Sequence, residues 1–282
     1  MKKIISISLV FIFVCMMCSA AVCYRRRRGA GLALITEFQM YMNDNAADTV
    51  IAEVVNSNDG VLIGGDNTSV KAGAGKINNA ITLNGTDDSI DCSASATVLQ
   101  DNGAGAIAFW IKRGDFDAVG AQTDYIWAIS DAATNDTHIY FRFYFDDSPD
   151  RQWLQCSARV DDVVPWDFRY EGLDFANVYE GKWVHMIFSH NVVQPEVYVN
   201  NVLQTVDVWA VTTDKTVWFQ DVMVGAVNDA EALEIGSLYT AGARTGFGEF
   251  TVDDFRILSE APNADQRAFL YNSGNGTENL SG

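Results

Sequence analysis

Residues 246–276 read GFGEFTVDDFRILSEAPNADQRAFLYNSGNG, and this stretch decides the fold. It opens with a strand whose apolar side chains lie on both faces, namely Phe250, Val252, Phe255, Ile257 and Leu258. This pattern is typical of a strand that is covered on both sides. Two adjacent carboxylates, Asp253 and Asp254, interrupt this strand. Carboxylates are rarely buried without a partner or a metal ion. We therefore expect a central strand of a two-sheet sandwich, with carboxylates that are paired or bind a metal.

The end of the same stretch predicts a short C-terminal helix. Pro262 precedes residues 264–271, which have helical composition, and residues 272–276 are rich in the glycine that commonly ends helices.

The rest of the chain predicts about a dozen strands and almost no helix before residue 263. Strands at near-regular spacing indicate a sandwich or barrel rather than a parallel α/β sheet. Residues 161–181 and 207–230 are expected to be loops or irregular hairpins, and long loops in compact domains are often functional. Segment 138–145 alternates most clearly, with one face made of Ile139, Phe141, Phe143 and Phe145 and the other of Tyr140, Arg142 and Tyr144.

The N-terminus has the layout of an export signal. Lys2 and Lys3 precede an apolar run over residues 4–22, and the small residues at 19–21 near its end offer a cleavage site. This layout predicts a signal peptide over residues 1–23. Four arginines at 25–28 then oppose translocation, so an uncleaved membrane anchor over residues 4–24 stays open as the alternative. Residues 24–36 are interpreted as a basic flank and linker, and secretion or cell-surface display is the expected location.

Composition supports a single domain over residues 37–274, followed by a tail at 275–282. The chain has 282 residues and 48% hydrophobic content, enough for one sizeable β core. The first 28 residues hold six of the 19 Lys and Arg and no Asp or Glu, which leaves the remainder with 13 basic and 37 acidic residues and a net charge of −24. A domain this acidic repels phosphate backbones, so nucleic acid is excluded as a partner.

Two cysteines, Cys92 and Cys156, remain after the leader. One disulfide and two buried thiols are both compatible with the sequence.

Several segments, in order, resemble the laminin-G-like family of concanavalin-A-like jelly rolls. They are MNDN at 42–45, GKINNAITLNG at 75–85, AFWIK at 108–112, GKWVH at 181–185, VYVNN at 197–201, LEIG at 233–236 and VDDFRI at 252–257. The resemblance implies an all-β fold, namely a two-sheet antiparallel β-sandwich (jelly roll) with a short C-terminal helix. It also implies an extracellular recognition module that binds a glycan or a protein, and many members hold a structural calcium ion. Function is carried over by analogy, because a fold hosts many functions.

A calcium (Ca2+) site is the sharpest hypothesis for a cofactor. Calcium takes carboxylate, amide and carbonyl oxygens, and the resemblance brings the first and closing strands together, so that Asn43 and Asp44 would lie near Asp253. By alternation, Asp253 is expected to share the inward face of its strand with Phe255 and Ile257. The same carboxylates could instead cap turns or pair with Arg256, and the sequence leaves both interpretations open.

A second hypothesis concerns a ligand-binding cluster of aromatic and cationic residues. Sugar rings stack on flat aromatic faces while charged and amide groups take their hydroxyls, and rings that face solvent often mark binding surfaces. The predicted ligand-binding residues, which we interpret as lying outside the core strands, are Arg151, Trp153, Trp166, Arg169 and Tyr170.

Catalysis has no support in the sequence. Retaining glycosidases need two carboxylates about 5 Å apart, whereas Glu231 and Glu234 have the wrong spacing and adjacent Asp253 and Asp254 face opposite ways along a regular strand. We therefore expect an exported, non-enzymatic module that binds a glycan or a cell-surface protein. A self-assembling surface or virion component is the alternative, and a glycoside hydrolase ranks below both.

Overall fold

The computed structural model describes residues 34–114, 122–145, 152–171, 178–224 and 229–278. The predicted leader (1–23) and all but the last residues of the basic flank lie outside these ranges. The described strands are β1 (Thr36–Met40), β2 (Val50–Ile51), β3 (Gly60–Ile63), β4 (Ala72–Ala74), β5 (Asn79–Asn84), β6 (Ser89–Asp91), β7 (Gly105–Lys112), β8 (Gln122–Ser130), β9 (His138–Phe145), β10 (Gln152–Val160), β11 (Val163–Tyr170), β12 (Val184–His190), β13 (Pro195–Val199), β14 (Val202–Leu203), β15 (Val208–Thr212), β16 (Ala232–Ile235), β17 (Leu238–Thr240), β18 (Ala243–Thr245) and β19 (Glu249–Leu258). The described α-helices are α1 (Thr68–Lys71), α2 (Phe219–Met223) and α3 (Ala264–Tyr271), and short 3-10 helices span Ser93–Leu99 and Asn272–Gly274.

Two antiparallel sheets form a sandwich, as predicted. In the described residues, the eight-stranded sheet has the order β14-β13-β12-β7-β19-β5-β4, with β1 also paired to β19, and the nine-stranded sheet has the order β15-β11-β10-β9-β8-β16-β6-β3-β2. Strand β19 pairs with β7 along one edge, and with β5 and then β1 along the other. The closing strand is therefore central in its sheet, which confirms the prediction.

A β-bulge in β19 overturns the predicted orientation of Asp253. Asp253 pairs with Trp110 and Arg256 pairs with Ala108, so two residues of β19 stand opposite one residue of β7. Asp254 is the extra residue, and its backbone adopts the left-handed conformation, with φ 47°. The inter-sheet core consequently receives Phe250 and Val252 before the bulge and Phe255 and Ile257 after it. Asp253 does not share a face with Phe255 and Ile257; it points to the outer face, because the bulge shifts the alternation by one residue.

Aromatic side chains fill the space between the sheets. Phe188 on β12 lies at the centre of this group, with its ring centroid 5.6 Å from that of Phe141 and 5.2 Å from that of Trp218. The predicted inward face of β9 is confirmed, since all four of its apolar residues belong to this core. Cys92 and Cys156 are free, buried thiols, which decides between the two alternatives that the sequence left open.

Two segments predicted to be loops contain regular structure. Residues 161–181 include β11, and residues 207–230 include β15 and α2. Trp166 and Phe168 alternate inward along β11, but Pro165 and the charged residues beside them hide this pattern in the sequence.

Helix α3 covers the outer face of the eight-stranded sheet. Leu270 packs with Ala106, Ala108 and Leu258 in a separate apolar cluster. The helix begins at Asn263, whose Oδ1 accepts from the N–H groups of Asp265 and Gln266, and ends at Asn272 in the left-handed conformation. The predicted C-terminal helix is therefore confirmed. Among the described residues, no helix is both long and apolar enough to cross a bilayer.

The bulge provides the first prediction. Asp254 is buried and accepts from Arg256 Nε at 2.9 Å and from Gln39 Nε2 at 2.7 Å. Replacing Asp254 with Ala removes the carboxylate partner of a buried arginine. It also places an alanine, whose side chain makes no hydrogen bonds, in the left-handed region of backbone conformation. We expect Asp254→Ala to lower the free energy of unfolding by about 3–5 kcal/mol, as breaking buried ion pairs does, measured by urea denaturation.

The matched control is Asp254→Asn, which keeps an acceptor oxygen and a residue type that tolerates positive φ. We expect it to retain most of the stability that the Ala variant loses. An Ala variant within about 0.5 kcal/mol of the unmodified protein, the usual range for surface substitutions, would contradict this account of the bulge.

Candidate functional site

The outer face of the nine-stranded sheet carries aligned rows of polar and aromatic side chains. One row runs from Tyr125 through Arg142 and Gln155 to Arg169, because each is the cross-strand partner of the next. Paired residues on neighbouring strands project to the same side of a sheet. The next row, by the same pairing, consists of Ala128, Tyr140, Ser157 and Asp167.

Arg142 lies at the centre of this face. Its Nε and Nη2 donate to Gln155 Oε1 at 3.0 and 2.7 Å, and its Nη1 donates to the Tyr125 hydroxyl at 3.2 Å. The guanidinium carbon lies 4.7 Å from the ring centroid of Tyr140 and 5.2 Å from that of Tyr144. Stacking on tyrosine rings and hydrogen bonds to fixed acceptors hold the cation in one orientation.

A pocket of ≈ 490 Å³ opens beside Arg142. Its floor is the outer face of β9, β10 and β11, and one wall is the hairpin formed by β17 and β18. Arg244 fixes this hairpin to the sheet, since its Nη2 donates to Glu234 Oε1 at 2.7 Å and to Asp91 Oδ2 at 2.9 Å. The lining residues are Tyr125, Asn135, His138, Tyr140, Ser157, Arg159, Val164, Asp167, Leu238, Thr240 and Thr245.

Two lining residues have buried polar atoms without a hydrogen-bond partner among the described residues, namely Asp167 Oδ1 and His138 Nδ1. Gln155 Nε2 donates to the other carboxylate oxygen of Asp167 at 2.8 Å. Burial raises the pKa of Asp167 above its ordinary value. Burial, helped by the charge of Arg159, lowers the pKa of His138 to about 3, so this imidazole is neutral at physiological pH. Burial raises the pKa of Tyr140 to about 12, and its hydroxyl therefore stays protonated.

A stacked pair of aromatic rings lies further along the strands on the same face. The ring of Trp153 stacks on that of Tyr144, with centroids 5.0 Å apart and planes 17° apart. The guanidinium of Arg169 lies 5.2 Å from the Trp153 ring centroid. Trp153 is buried, and neither ring of this pair lines the pocket, whose own aromatic rings are those of Tyr125 and Tyr140. These two rings stand beside hydroxyl, amide and carboxylate groups, an arrangement that can both contact a sugar ring and hydrogen-bond to its substituents.

The predicted ligand-binding cluster divides between the two faces of this sheet. Trp153 and Arg169 lie on the outer face. Trp166 and Tyr170 are fully buried in the inter-sheet core, which corrects the interpretation that they lie outside the core strands: side chains alternate along β11, so Arg169 and its neighbour Tyr170 face opposite ways. Arg151 lies outside the described residues.

Five residues of the face were not predicted as site residues: His138, Tyr140, Arg142, Ser157 and Asp167. The sequence feature that could have identified this face is the polar side of β9. There Tyr140, Arg142 and Tyr144 alternate with residues of an all-apolar side. A strand whose second face carries aromatic hydroxyls around an arginine, rather than Lys, Glu or Thr, indicates more than a solvated surface.

The predicted calcium ligands lie near the opposite sheet and make different contacts. Asn43 Oδ1 accepts from Asn79 N at 2.9 Å, and its Nδ2 donates to Glu278 at 2.7 Å. Asp44 accepts from the N–H of Ala52 at 3.2 Å. No group of three or more His, Cys, Asp or Glu in the described ranges is arranged to hold a metal ion.

Among the three predicted calcium ligands, Asp253 has a carboxylate oxygen that suits a cation. Its Oδ2 accepts from Ile77 N at 2.7 Å, whereas its buried Oδ1 has no partner among the described residues. Burial raises the pKa of this carboxyl to about 7, although the Ile77 N–H acts in the opposite direction. Calcium binding through Asp253 stays a prediction.

Comparison with solved structures gives several similar β-sandwich domains. The binding domain of botulinum neurotoxin serotype D matches with a TM-score of 0.57 and 11% identity over 87% of this chain and 52% of that one. Domain 4 of AbnA, a GH43 extracellular arabinanase from Geobacillus stearothermophilus, in complex with arabinotriose, matches with a TM-score of 0.50 and 15% identity over 87% of this chain and 100% of that one. The CBM40 of Ruminococcus gnavus IT-sialidase, bound to α2,6 sialyllactose, matches with a TM-score of 0.50 and 11% identity over 66% and 93%.

No protein-family model matches the chain, and no curated protein sequence matches it. The chain spans about half the length of the neurotoxin binding domains. At these identities the likeness shows the fold alone. The chain has a two-sheet antiparallel β-sandwich with a short C-terminal helix, and membership of the laminin-G-like family stays a prediction.

Asp253 provides a pH-dependent prediction. Its pKa is about 3.9 in an unfolded chain and about 7 in the fold, so the folded state binds more protons between these values. The free energy of unfolding should therefore fall as pH rises from about 4 to 7. We expect the unmodified protein to lose up to about 4 kcal/mol relative to Asp253→Asn across this window, measured by urea unfolding at three pH values.

Calcium should act on the same group. If Asp253 is a ligand, added calcium at pH 7 favours its ionised form and raises the melting temperature relative to chelator, and Asp253→Asn abolishes this shift. Parallel pH profiles for the two proteins would contradict the raised pKa, and a calcium shift of equal size in both would place the ion elsewhere.

Proposed function

We propose that this protein is a non-catalytic carbohydrate-binding module whose ligand lies on the outer face of the nine-stranded sheet. The observation that carries the proposal is the ≈ 490 Å³ pocket, whose lining combines the rings of Tyr125 and Tyr140 with the polar side chains of His138, Ser157 and Asp167. Its volume lies within the range typical of small-molecule sites. The neighbouring folds support the proposal, because two of them are described with arabinotriose and sialyllactose bound.

The polar groups of the pocket match the hydroxyls of a sugar. Asp167 Oδ1 and His138 Nδ1 are buried and have no hydrogen-bond partner among the described residues. Such atoms carry a free-energy penalty until a ligand or water bonds to them, although Arg169 Nε lies 4.0 Å from Asp167 Oδ1. The hydroxyls of Ser157, Thr240 and Thr245 belong to residues that line the same pocket. A sugar presents many hydroxyls at close spacing, so it can bond to several of these groups at once while its apolar face lies on an aromatic ring.

The placement of carboxylates supports binding without hydrolysis. Asp167 and Glu234 belong to one cross-strand row but are four strands apart, which is about 19 Å and far beyond the 5–9.5 Å that glycosidases use. Asp91 and Glu234 are adjacent, but Arg244 bonds to both and Glu234 is fully buried beneath the hairpin. Among the residues that line the pocket, Asp167 is the one carboxylate.

Export and display outside the cell complete the proposal. The apolar N-terminal run predicts a secreted or membrane-anchored protein, where glycans and glycoproteins of cell surfaces are accessible. A glycan carried by an extracellular protein would present the same chemistry to the pocket, so a protein partner is compatible with this face.

Asp167 gives a direct test of the pocket. Asp167→Asn keeps the shape and the acceptor for Gln155 but removes the charge that strengthens hydrogen bonds to ligand hydroxyls. We expect a glycan array to identify at least one ligand, and Asp167→Asn to weaken its affinity by about tenfold or more in titration calorimetry, with an unchanged unfolding midpoint.

The matched control is Asp101→Asn, the same substitution at an exposed carboxylate outside the pocket lining, which should leave affinity unchanged. A glycan that binds both variants like the unmodified protein would move the site away from this face. An array without any ligand would contradict the proposed function.

A further inference from the structure

Three arginines lie on one face of an otherwise acidic protein. Residues 29–282 carry a net charge of −24 and only 13 Lys and Arg. Three of these cations, Arg142, Arg159 and Arg169, project from β9, β10 and β11 on the outer face of the nine-stranded sheet. A local cationic patch on an acidic protein selects anionic groups, because the rest of the surface repels them.

The hydrogen bonds and ring contacts of Arg142 are with neutral groups. Its hydrogen bonds go to the Gln155 amide oxygen and the Tyr125 hydroxyl, and its other neighbours are the rings of Tyr140 and Tyr144. In the described part of the chain, no carboxylate forms an ion pair with Arg142. The residue is half-buried, so its charge acts through a medium that screens it less than bulk water does.

The other two arginines are weakly compensated. Arg169 Nε has no hydrogen-bond partner among the described residues, and it lies 4.0 Å from Asp167 Oδ1, too far for a hydrogen bond. Arg159 donates to the backbone oxygen of Asn135 at 2.9 Å, and its distance to the exposed Asp162 carboxylate is 3.8 Å. A ligand oxygen can reach both guanidinium groups without breaking a strong ion pair.

We infer that the glycan bound on this face is acidic, with a carboxylate or sulfate group that lies over the row formed by Arg142, Gln155 and Arg169. This inference rests on the proposed function and adds the ligand class to it. Planar guanidinium groups match the oxygens of both anions. The pocket row of Ser157 and Asp167 is two residues further along the strands, roughly 7 Å away, so the hydroxyl-bearing part of the ligand fills the pocket while its anion contacts the arginines.

The experiment compares acidic sugars with neutral counterparts. Titration calorimetry uses three pairs: sialyllactose with lactose, trigalacturonate with galactotriose, and a sulfated oligosaccharide with its desulfated form. We expect the acidic member of at least one pair to bind tenfold or more tightly, and raising salt from about 0.05 to about 0.5 M to weaken that member alone, because the Debye length shortens across this range. The pair that responds distinguishes a carboxylate from a sulfate.

Charge-removing variants assign the effect to this face. Arg169→Gln should lower affinity for the acidic sugar about tenfold and leave the neutral sugar unchanged. Arg267→Gln is the matched control, since Arg267 also lies over a tyrosine ring, that of Tyr198, but on α3 at the opposite sheet. Arg142→Lys, which keeps the charge but loses the fork geometry, serves as a second variant if Arg169→Gln unfolds the protein, and it should also weaken the acidic sugar.

The outcomes separate the two proposals. Equal or tighter binding of the neutral sugars would overturn the acidic-ligand inference and leave the proposed function intact. Unchanged affinity of Arg169→Gln and Arg142→Lys for the acidic sugar would also overturn it. Binding of neither member of any pair, together with an empty glycan array, would overturn the proposed function itself.

Discussion

The bulge at Asp254 is the constraint on which the eight-stranded sheet depends. One extra residue in β19 lets its two halves pair with different strands, β5 and β1, while β7 remains paired along the other edge. The buried network of Asp254, Arg256 and Gln39 holds the left-handed residue in place. Because the bulge also reverses the alternation, it directs Phe255 and Ile257 into the core and leaves Asp253 outside it.

The sequence predicts the regular core strands more readily than the departures from regular strand geometry. Strand β7, strand β9 and helix α3 follow from apolar runs, from alternation and from capping residues, and the central place of β19 follows from its apolar content. The orientation of Asp253 does not, because a single inserted residue in a strand has no compositional signature and every side chain after it changes face. Strand β11 was hidden for a related reason: Pro165 and Asp167 resemble loop residues, and only the pairing of this segment with β10 and β15 shows a strand.

The candidate site could be predicted only in part. Trp153 and Arg169 were identified from the local density of aromatic and cationic residues, but the same criterion selected Trp166 and Tyr170, which pack inward. Density along the chain cannot separate the two faces of a strand, whereas register can. Arg142, Ser157 and Asp167 come from three different strands, and their proximity arises from cross-strand pairing that one sequence does not reveal.

The architecture favours the nine-stranded sheet as the place of the proposed recognition. Helix α3 packs on the outer face of the eight-stranded sheet, where Leu270 joins Ala106 and Ala108 in an apolar cluster. Small residues on β7 allow the helix to approach, and this coverage removes that face from contact with a large ligand. The outer face of the nine-stranded sheet is covered differently: the β17–β18 hairpin, held by Arg244, forms a wall at one side, and Arg142, Asp167 and Arg169 remain half-buried. A sheet fixed on both sides by packing, with one face partly open, gives the arginine and tyrosine side chains positions that change little on binding, which reduces the ordering entropy that a ligand must overcome.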